Sequence, residues 1–217
     1  MDTTDARTEA VSTQEFWDAR YRAEEQVFSG APNAALVRET ADLVPGTALE
    51  LGCGEGGDAV WLAQRGWTVT ATDVSSVALR RAADRAEAAG VGDRIDWQRH
   101  DLAESFPEGT FDLVSSHFLY PPRPEGREPI LRRAAGSVAP GGVLLIVSHA
   151  GMPPWESAPD PEFSFPTPEE LLAALDLPAG RWEVLVSETY QRPVTDPEGR
   201  PATRPDSTLK LRRRTQD

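Results

Sequence analysis

Short apolar runs and helical repeats take turns through the middle of the chain, a pattern that predicts a parallel sheet with helices on both faces. Thr47-Ala48-Leu49-Glu50-Leu51 reads as a strand that runs into Gly52-Cys53-Gly54-Glu55-Gly56-Gly57, and Asp58 to Arg65 reads as a helix stopped by Gly66. Trp67 to Thr72 alternates bulky β-branched positions as a second strand ending at Asp73, where Ser75 or Ser76 can cap an alanine-rich helix reaching Ala89-Gly90. Ile95 to Arg99 and Phe111 to Ser116 are the third and fourth strands, with Pro107, Glu108 and Gly109 marking the turn between them. Glu128 to Val138 is expected to be helical and to stop at Pro140-Gly141-Gly142. The wholly apolar Val143 to Val147 that follows suits a central parallel strand.

Towards the C-terminus, Thr167-Pro168-Glu169-Glu170 combines a cap, a first-turn proline and a reciprocal glutamate, so a helix begins there and covers Leu171 to Leu175. Trp182 to Tyr190 and Ser207 to Arg214 are expected as two closing strands in a short hairpin-like pair, separated by the Pro- and Gly-rich stretch Arg192 to Asp206. At the other end, Ser12-Thr13-Gln14-Glu15 is a capping box that opens a helix carrying Phe16, Trp17 and Tyr21, the last two one turn apart. Val27 to Asn33 turns the chain into a further helix through Leu36 and Val37. The expected division is an N-terminal helical lid over residues 1–43 and one α/β domain over 44–217.

Charge narrows the partners. The chain carries 22 Lys and Arg against 35 Asp and Glu, a formal charge of −13. Such a field repels polyanions and acidic membranes, so neither nucleic acid nor a membrane is the expected partner. Arg212-Arg213-Arg214 does not change this, since a charge run on a terminal strand is usually a solvated face. One cysteine, Cys53, rules out an internal disulfide framework, and the scattered His100, His117 and His149 offer no metal-ligand spacing. With an acidic N-terminus and no long apolar run, a cytoplasmic location is expected.

The glycine run after the first strand is the strongest chemical signal. Its glycines let the backbone turn sharply and approach a ligand, and the next helix offers free N–H groups. Gly52, Gly54 and Gly57 also meet the dinucleotide spacing, so the run alone does not separate a nicotinamide cofactor from another nucleoside. Asp73 is placed to accept from both hydroxyls of a ribose, which serves either. Glu50 discriminates, because a carboxylate just ahead of the glycines would repel a pyrophosphate and suit the ammonium of a methionine moiety. Asp101, ending the third strand, suits an adenine amino group. Three carboxylates around one loop favour a cationic, phosphate-free nucleoside such as S-adenosylmethionine.

Those residues carry a resemblance. Ala48 to Gly56 is similar to the first motif of the class I S-adenosylmethionine-dependent methyltransferases, Thr70 to Ser75 to the second, and His100-Asp101-Leu102 to their acidic adenine loop. The resemblance spans about residues 45 to 150. It implies a Rossmann-like, mostly parallel seven-stranded sheet with an antiparallel last strand. Outside the core, Phe16 to Tyr21 with Val27 to Gly30 is similar to the entry segment of the tellurite-resistance and thiopurine group, although relatives often have tryptophan where this chain has Phe28. The implied cofactor site comprises Trp17, Tyr21, Glu50, Gly52, Gly54, Asp73, Val74, Asp101, Leu102 and Ser116. His117, just past the fourth strand, stands where the family places substrate-facing residues.

The expected function is methyl transfer to a small-molecule acceptor. A nicotinamide-dependent oxidoreductase and a cofactor-binding module without turnover are the alternatives. Alignment and water exclusion suffice for a thiolate acceptor, whereas a protonated oxygen or nitrogen also needs a general base. His117 could serve, but a histidine at a strand end is more often structural, and no catalytic residue is assigned. Tyr120 and His149 also lie near strand ends. The acceptor pocket is expected from the lid, from Tyr120 to Arg127 and from Met152 to Pro166, where Trp155, Phe163 and Phe165 add aromatic content.

Overall fold

In a computed structural model of the protein, residues 12–120, 126–156 and 165–215 are described. Phe163 and most of the stretches after Tyr120 and after Trp155 lie outside them. Seven strands form one sheet in the order β3-β2-β1-β4-β5-β7-β6. They are β1 (Thr47–Leu51), β2 (Thr68–Asp73), β3 (Ile95–Arg99), β4 (Phe111–His117), β5 (Val138–His149), β6 (Trp182–Thr195) and β7 (Pro201–Arg213). The strands from β3 to β5 pair in parallel, and β7 inserts antiparallel between β5 and β6. The Rossmann-like expectation, including the antiparallel last strand, is met.

Helices α3 (Gly57–Gln64), α4 (Ser76–Ala88), α5 (Arg127–Gly136) and α6 (Pro168–Ala174) connect or cover the strands. The caps predicted for α4 and α6 form: Ser75 accepts from Ala78 N–H, and Thr167 with Glu170 closes a capping box. Alternation along the strands sorts side chains onto two cores. Ala48, Val69, Leu113 and Leu145 face one way, towards α2 (Ala34–Thr40) and α3. Leu49, Leu51, Val114, Leu144 and Ile146 face the other, towards α5 and α6. Asp112 fixes the strand bottoms, its Oδ2 accepting from Thr47 N–H at 2.8 Å and Thr47 Oγ1 at 3.0 Å.

Three expectations need correction. The helix before the fifth strand ends at Gly136, and Val138 already pairs with Phe111. Pro140-Gly141-Gly142 therefore does not break the chain out of the sheet. It is absorbed as an irregularity within β5, with Gly141 at φ 83° and the register shifting between Phe111 and Leu113. The closing strands do pair as a hairpin, but a longer one than expected: both continue through the Pro- and Gly-rich stretch 192–206 and turn at Asp196 to Arg200. Proline is tolerated because β6 is an edge strand, and β7 before Asp206 pairs on one side only.

The third correction concerns the lid. Helix α1 (Thr13–Ala23) does lie outside the sheet layers, opened by the expected Ser12–Glu15 capping box. Helix α2, expected within the same lid, belongs to the core, with Leu36 fully buried among Leu62, Trp67 and Leu145. Leu36→Ala should therefore cost about 2–5 kcal/mol, the range for a buried leucine. A urea titration should show a lower midpoint with an unchanged slope; a cost below about 1 kcal/mol would place α2 outside the core.

Candidate functional site

From β1 the chain builds outward to β3 and then returns to place β4 on the other side of β1. Such a reversal opens a crevice at the C-terminal strand ends. A cavity of about 420 Å³ lies there, within the range of small-molecule sites. Glu50 from β1, Asp73 and Val74 at the end of β2, Asp101 and Leu102 after β3, His117 from β4 and His149 from β5 all face it. Trp17, Tyr21, Gly52 and Gly54 line it too. Ser116 alone among the expected cofactor residues does not: it is buried in β4 between Leu51 and Ile146. His117 is the last residue of β4 rather than one beyond it.

The glycine turn is anchored by its neighbours. Gly52 and Cys53 N–H both donate to Thr72 O at 2.8 Å, and Gly54 N–H donates to Asp73 Oδ2 at 2.9 Å. Gly52 and Gly54 sit at φ 74° and 52°, and a Cβ on Gly54 would come within 3.0 Å of the Tyr21 hydroxyl. Asp73 also accepts from Ser75 N–H at 2.8 Å, so one carboxylate shapes both the turn and the start of α4. Burial raises the Asp73 pKa, and the N–H donors of Ser75, Gly54 and Val74 oppose the rise. Burial, with Glu50 and Asp73 nearby, holds Cys53 as a thiol well above its ordinary value. A nucleophilic role for it has no support.

Glu50 is 4% exposed and lies by the first turn of α3, where the Ala59 N–H works to lower its pKa. Its Oε2 has no hydrogen-bond partner. Burial, then the proximity of Asp58 and Asp73, pushes its pKa well above the carboxylate range. The helix N-terminus that a pyrophosphate would use thus already holds a carboxylate.

Three further buried carboxylates fasten the entry segment, and the sequence reading missed them. Asp18 accepts from Ser75 Oγ at 2.6 Å and Val77 N–H at 3.3 Å, docking α1 on the start of α4. Glu55 accepts from Val27 and Phe28 N–H at 3.1 and 3.0 Å and pairs with Arg81 at 2.8 Å. Asp58 accepts from Asn33 N–H at 2.6 Å and its side-chain amide at 2.7 Å. Trp17, Tyr21 and Phe28 thereby form an aromatic arc over the glycine turn, with successive ring centroids 6.2 Å apart.

The opposite wall is different in kind. Phe118, at φ 51°, stacks on the His149 ring at 4.4 Å, and Tyr120 stacks on it at 5.6 Å. His149 Nδ1 lies 2.8 Å from Asp206 Oδ1, and Arg192 Nε donates to Asp206 Oδ2. Burial lowers the pKa of His117, and nearby Asp58 opposes this. His117 Nδ1 is 3.2 Å from Asp58 Oδ2 but not aligned for a hydrogen bond, and neither ring nitrogen has a partner. Among the described residues, no three His, Cys, Asp or Glu side chains gather to hold a metal, and no helix is long and apolar enough to cross a membrane.

Residues 48–142 match a family model described as a methyltransferase domain. A curated relative, "Ribosomal RNA small subunit methyltransferase C" of Alcanivorax borkumensis, is 33% identical over 113 residues, which are 50% of this chain and 34% of that protein. The chain thus spans about a third of that relative's length. A solved structure described by the conversion of a disulfide bond into a thioacetal group during echinomycin biosynthesis superposes with a TM-score of 0.71 at 25% identity, covering 95% of this chain and 93% of the other. TehB from Haemophilus influenzae superposes with a TM-score of 0.66 at 21% identity, covering 94% and 68%. The matched stretch is that of a methyltransferase domain, and the fold is shared with these solved structures. No finer group is distinguished by these similarities.

Hydrogen bonds to Asp18 outweigh burial and hold its pKa below the ordinary value of 3.8, the donors being Ser75, Val77, Gln14 and Ser76. Its contribution to stability should be present above that value and disappear as pH falls through the lowered one. Asp18→Asn is expected to lose about 1.5–3 kcal/mol at neutral pH, the usual worth of hydrogen bonds to a charged group. Urea titrations at pH 7 and pH 2 should show the deficit at the first and little at the second; an equal deficit at both would discard the assignment.

Proposed function

We propose that this protein transfers a methyl group from S-adenosylmethionine to a small-molecule acceptor bound in the cavity between the entry segment and the ends of β4 and β5. The observation that carries the reading is the buried Glu50 carboxylate, with Oε2 unpartnered, beside a glycine turn and at the N-terminus of α3. An anion-binding helix end is filled by an anion, so the site fits a ligand with an ammonium group and no phosphate. Glu50 would receive that ammonium. Asp73 would accept from the ribose hydroxyls, with Val74 and Leu102 against the adenine and Asp101 near its amino group. Gly52 and Gly54 would allow close approach, while Trp17 and Tyr21 cover the ligand.

When bound, the sulfonium supplies an electrophilic methyl carbon. The chain's task is then to align an acceptor with that carbon and exclude water. The aromatic arc excludes water, and His117 is placed to touch the acceptor. A nicotinamide dinucleotide is disfavoured because its pyrophosphate would meet Glu50 and Asp58. An RNA acceptor, suggested by the name of one relative, is opposed by the formal charge of −13.

Calorimetry with S-adenosylmethionine and its demethylated product tests the reading. Glu50→Gln is expected to weaken binding about ten- to hundredfold, or about 1.5–3 kcal/mol. Wild-type affinity should fall with pH through the raised Glu50 pKa, and the variant should lack that limb. The variant should also raise the melting temperature of the ligand-free protein. A carboxyl whose folded pKa is raised destabilises the fold above its unfolded value, and glutamine removes that cost. If only NAD or NADP raises the melting temperature, the oxidoreductase reading replaces this one. Binding without transfer to any acceptor would leave a cofactor-binding module.

A further inference from the structure

The wall opposite the carboxylates contains an arrangement that cofactor binding does not use. Asp206 is fully buried and receives two donors, Arg192 Nε on Oδ2 and His149 on Oδ1 at 2.8 Å. A carboxylate paired with a guanidinium accepts only, so the hydrogen between the residues sits on His149 Nδ1. The lone pair is then on Nε2, which no hydrogen bond reaches among the described residues. The ring cannot turn freely. Phe118 stacks on it with an interplanar angle of 27° and Tyr120 with 14°, and the His149 backbone N–H donates to Tyr120 Oη at 2.9 Å. His149 therefore presents a basic nitrogen of fixed tautomer on a ring that lines the cavity.

We propose that His149 Nε2 is the general base of the transfer, held by Asp206 as a positioning residue, and that the acceptor is attacked through a protonated oxygen or nitrogen rather than a preformed thiolate. The inference rests on the methyltransferase reading and deepens it. As the acceptor atom bonds to the methyl carbon, the carbon–sulfur bond breaks and its electron pair stays on sulfur. The acceptor's proton passes to Nε2. The resulting imidazolium lies against Asp206 and later returns its proton to solvent.

The charges around the ring suit this role. Among the described residues, Asp206 on β7 is the one carboxylate against His149, and it already faces Arg192 on β6; Arg204 on β7 adds a second cation. Tyr120 is stacked under Arg127 of α5, whose guanidinium carbon is 5.6 Å from the ring centre. Burial, assisted by Arg204 and Arg192 and opposed by Asp206, keeps the His149 pKa below its ordinary value, so the ring is neutral at pH 7. His117 is the less well positioned base, because no hydrogen bond holds either of its nitrogens in a tautomer.

The test uses protein with ring-nitrogen-labelled histidine, loaded with the demethylated cofactor and titrated with phenol as probe. With three histidines, His149→Gln and His117→Gln suffice to assign the nitrogen spectrum. His149 should carry its hydrogen on Nδ1, and phenol should move its Nε2 resonance while leaving His100 unmoved. Asp206→Asn should lose the tautomer preference. A protonated Nε2 in the neutral ring, or an Nε2 that phenol does not move, overturns the proposal whatever the turnover.

Turnover supplies the second arm, with phenols, amines and thiols as acceptors. His149→Gln should slow transfer to oxygen or nitrogen about 10²- to 10⁴-fold, the usual worth of a general base. It should abolish the acid limb of the pH profile while cofactor affinity stays as in the wild type. Transfer to thiols alone, or equal rates in variant and wild type, defeats the assignment. Failure of the demethylated cofactor to bind the folded wild-type protein would instead sink the methyltransferase reading.

Discussion

The unpartnered carboxylate of Glu50 is the constraint around which the rest of the site is arranged. Holding a carboxylate ionised away from water without a counter-ion costs several kcal/mol, so burial raises the Glu50 pKa, and the nearby Ala59 N–H opposes that rise only in part. The strand before it and the helix after it are fixed by the sheet, so Glu50 cannot swing out to solvent. Under the proposed reading, an entering ammonium relieves that cost and gains affinity from it. Asp73 is a different kind of acid, satisfied by the N–H groups of the turn it shapes. One carboxylate builds the site and the other awaits its ligand.

The same economy of acids recurs in the entry segment. A chain rich in Asp and Glu uses them as acceptors for backbone N–H groups that no helix or sheet satisfies. Glu55 serves Val27 and Phe28, Asp58 serves Asn33, and Asp18 serves the first turn of α4. Each contact joins the entry segment to the glycine turn or to the helix after Asp73. Movement of α1 is therefore coupled mechanically to the cofactor half of the cavity, while α2 stays locked in the core by Leu36.

Sequence legibility followed the range of the interactions. Strands β1 to β4 and helices α3 and α4 were readable because local alternation, caps and turn residues all agree there. Glu50, Asp73 and Asp101 were readable because strand ends in such sheets converge on one crevice. The end of α5 and the span of β6 and β7 were not, because proline and glycine act as breakers only when the lost N–H has a partner to lose. Edge position and one-sided pairing are properties of the sheet, not of the local sequence. Asp18, Glu55, Asp58 and Asp206 carried no usable signal, since their partners include residues from 14 to 59 positions away.

The two walls of the cavity then divide the electrostatics between them. Glu50, Asp73 and Asp101 stand on the side of β1 to β3, while Arg192 and Arg204 stand around Asp206 on the side of β6 and β7. A cation entering is drawn to the first wall and repelled from the second, which fixes its orientation before any contact is made. The second wall cannot be purely basic, however, because positive charge arising there would meet only guanidinium groups. Asp206 resolves the conflict. Paired with Arg192 it leaves His149 neutral at rest, yet it remains 2.8 Å away to stabilise a proton gained on the far side of the ring. A carboxylate at that position balances Arg192 at rest and, under the proposed mechanism, also the charge that develops on the histidine.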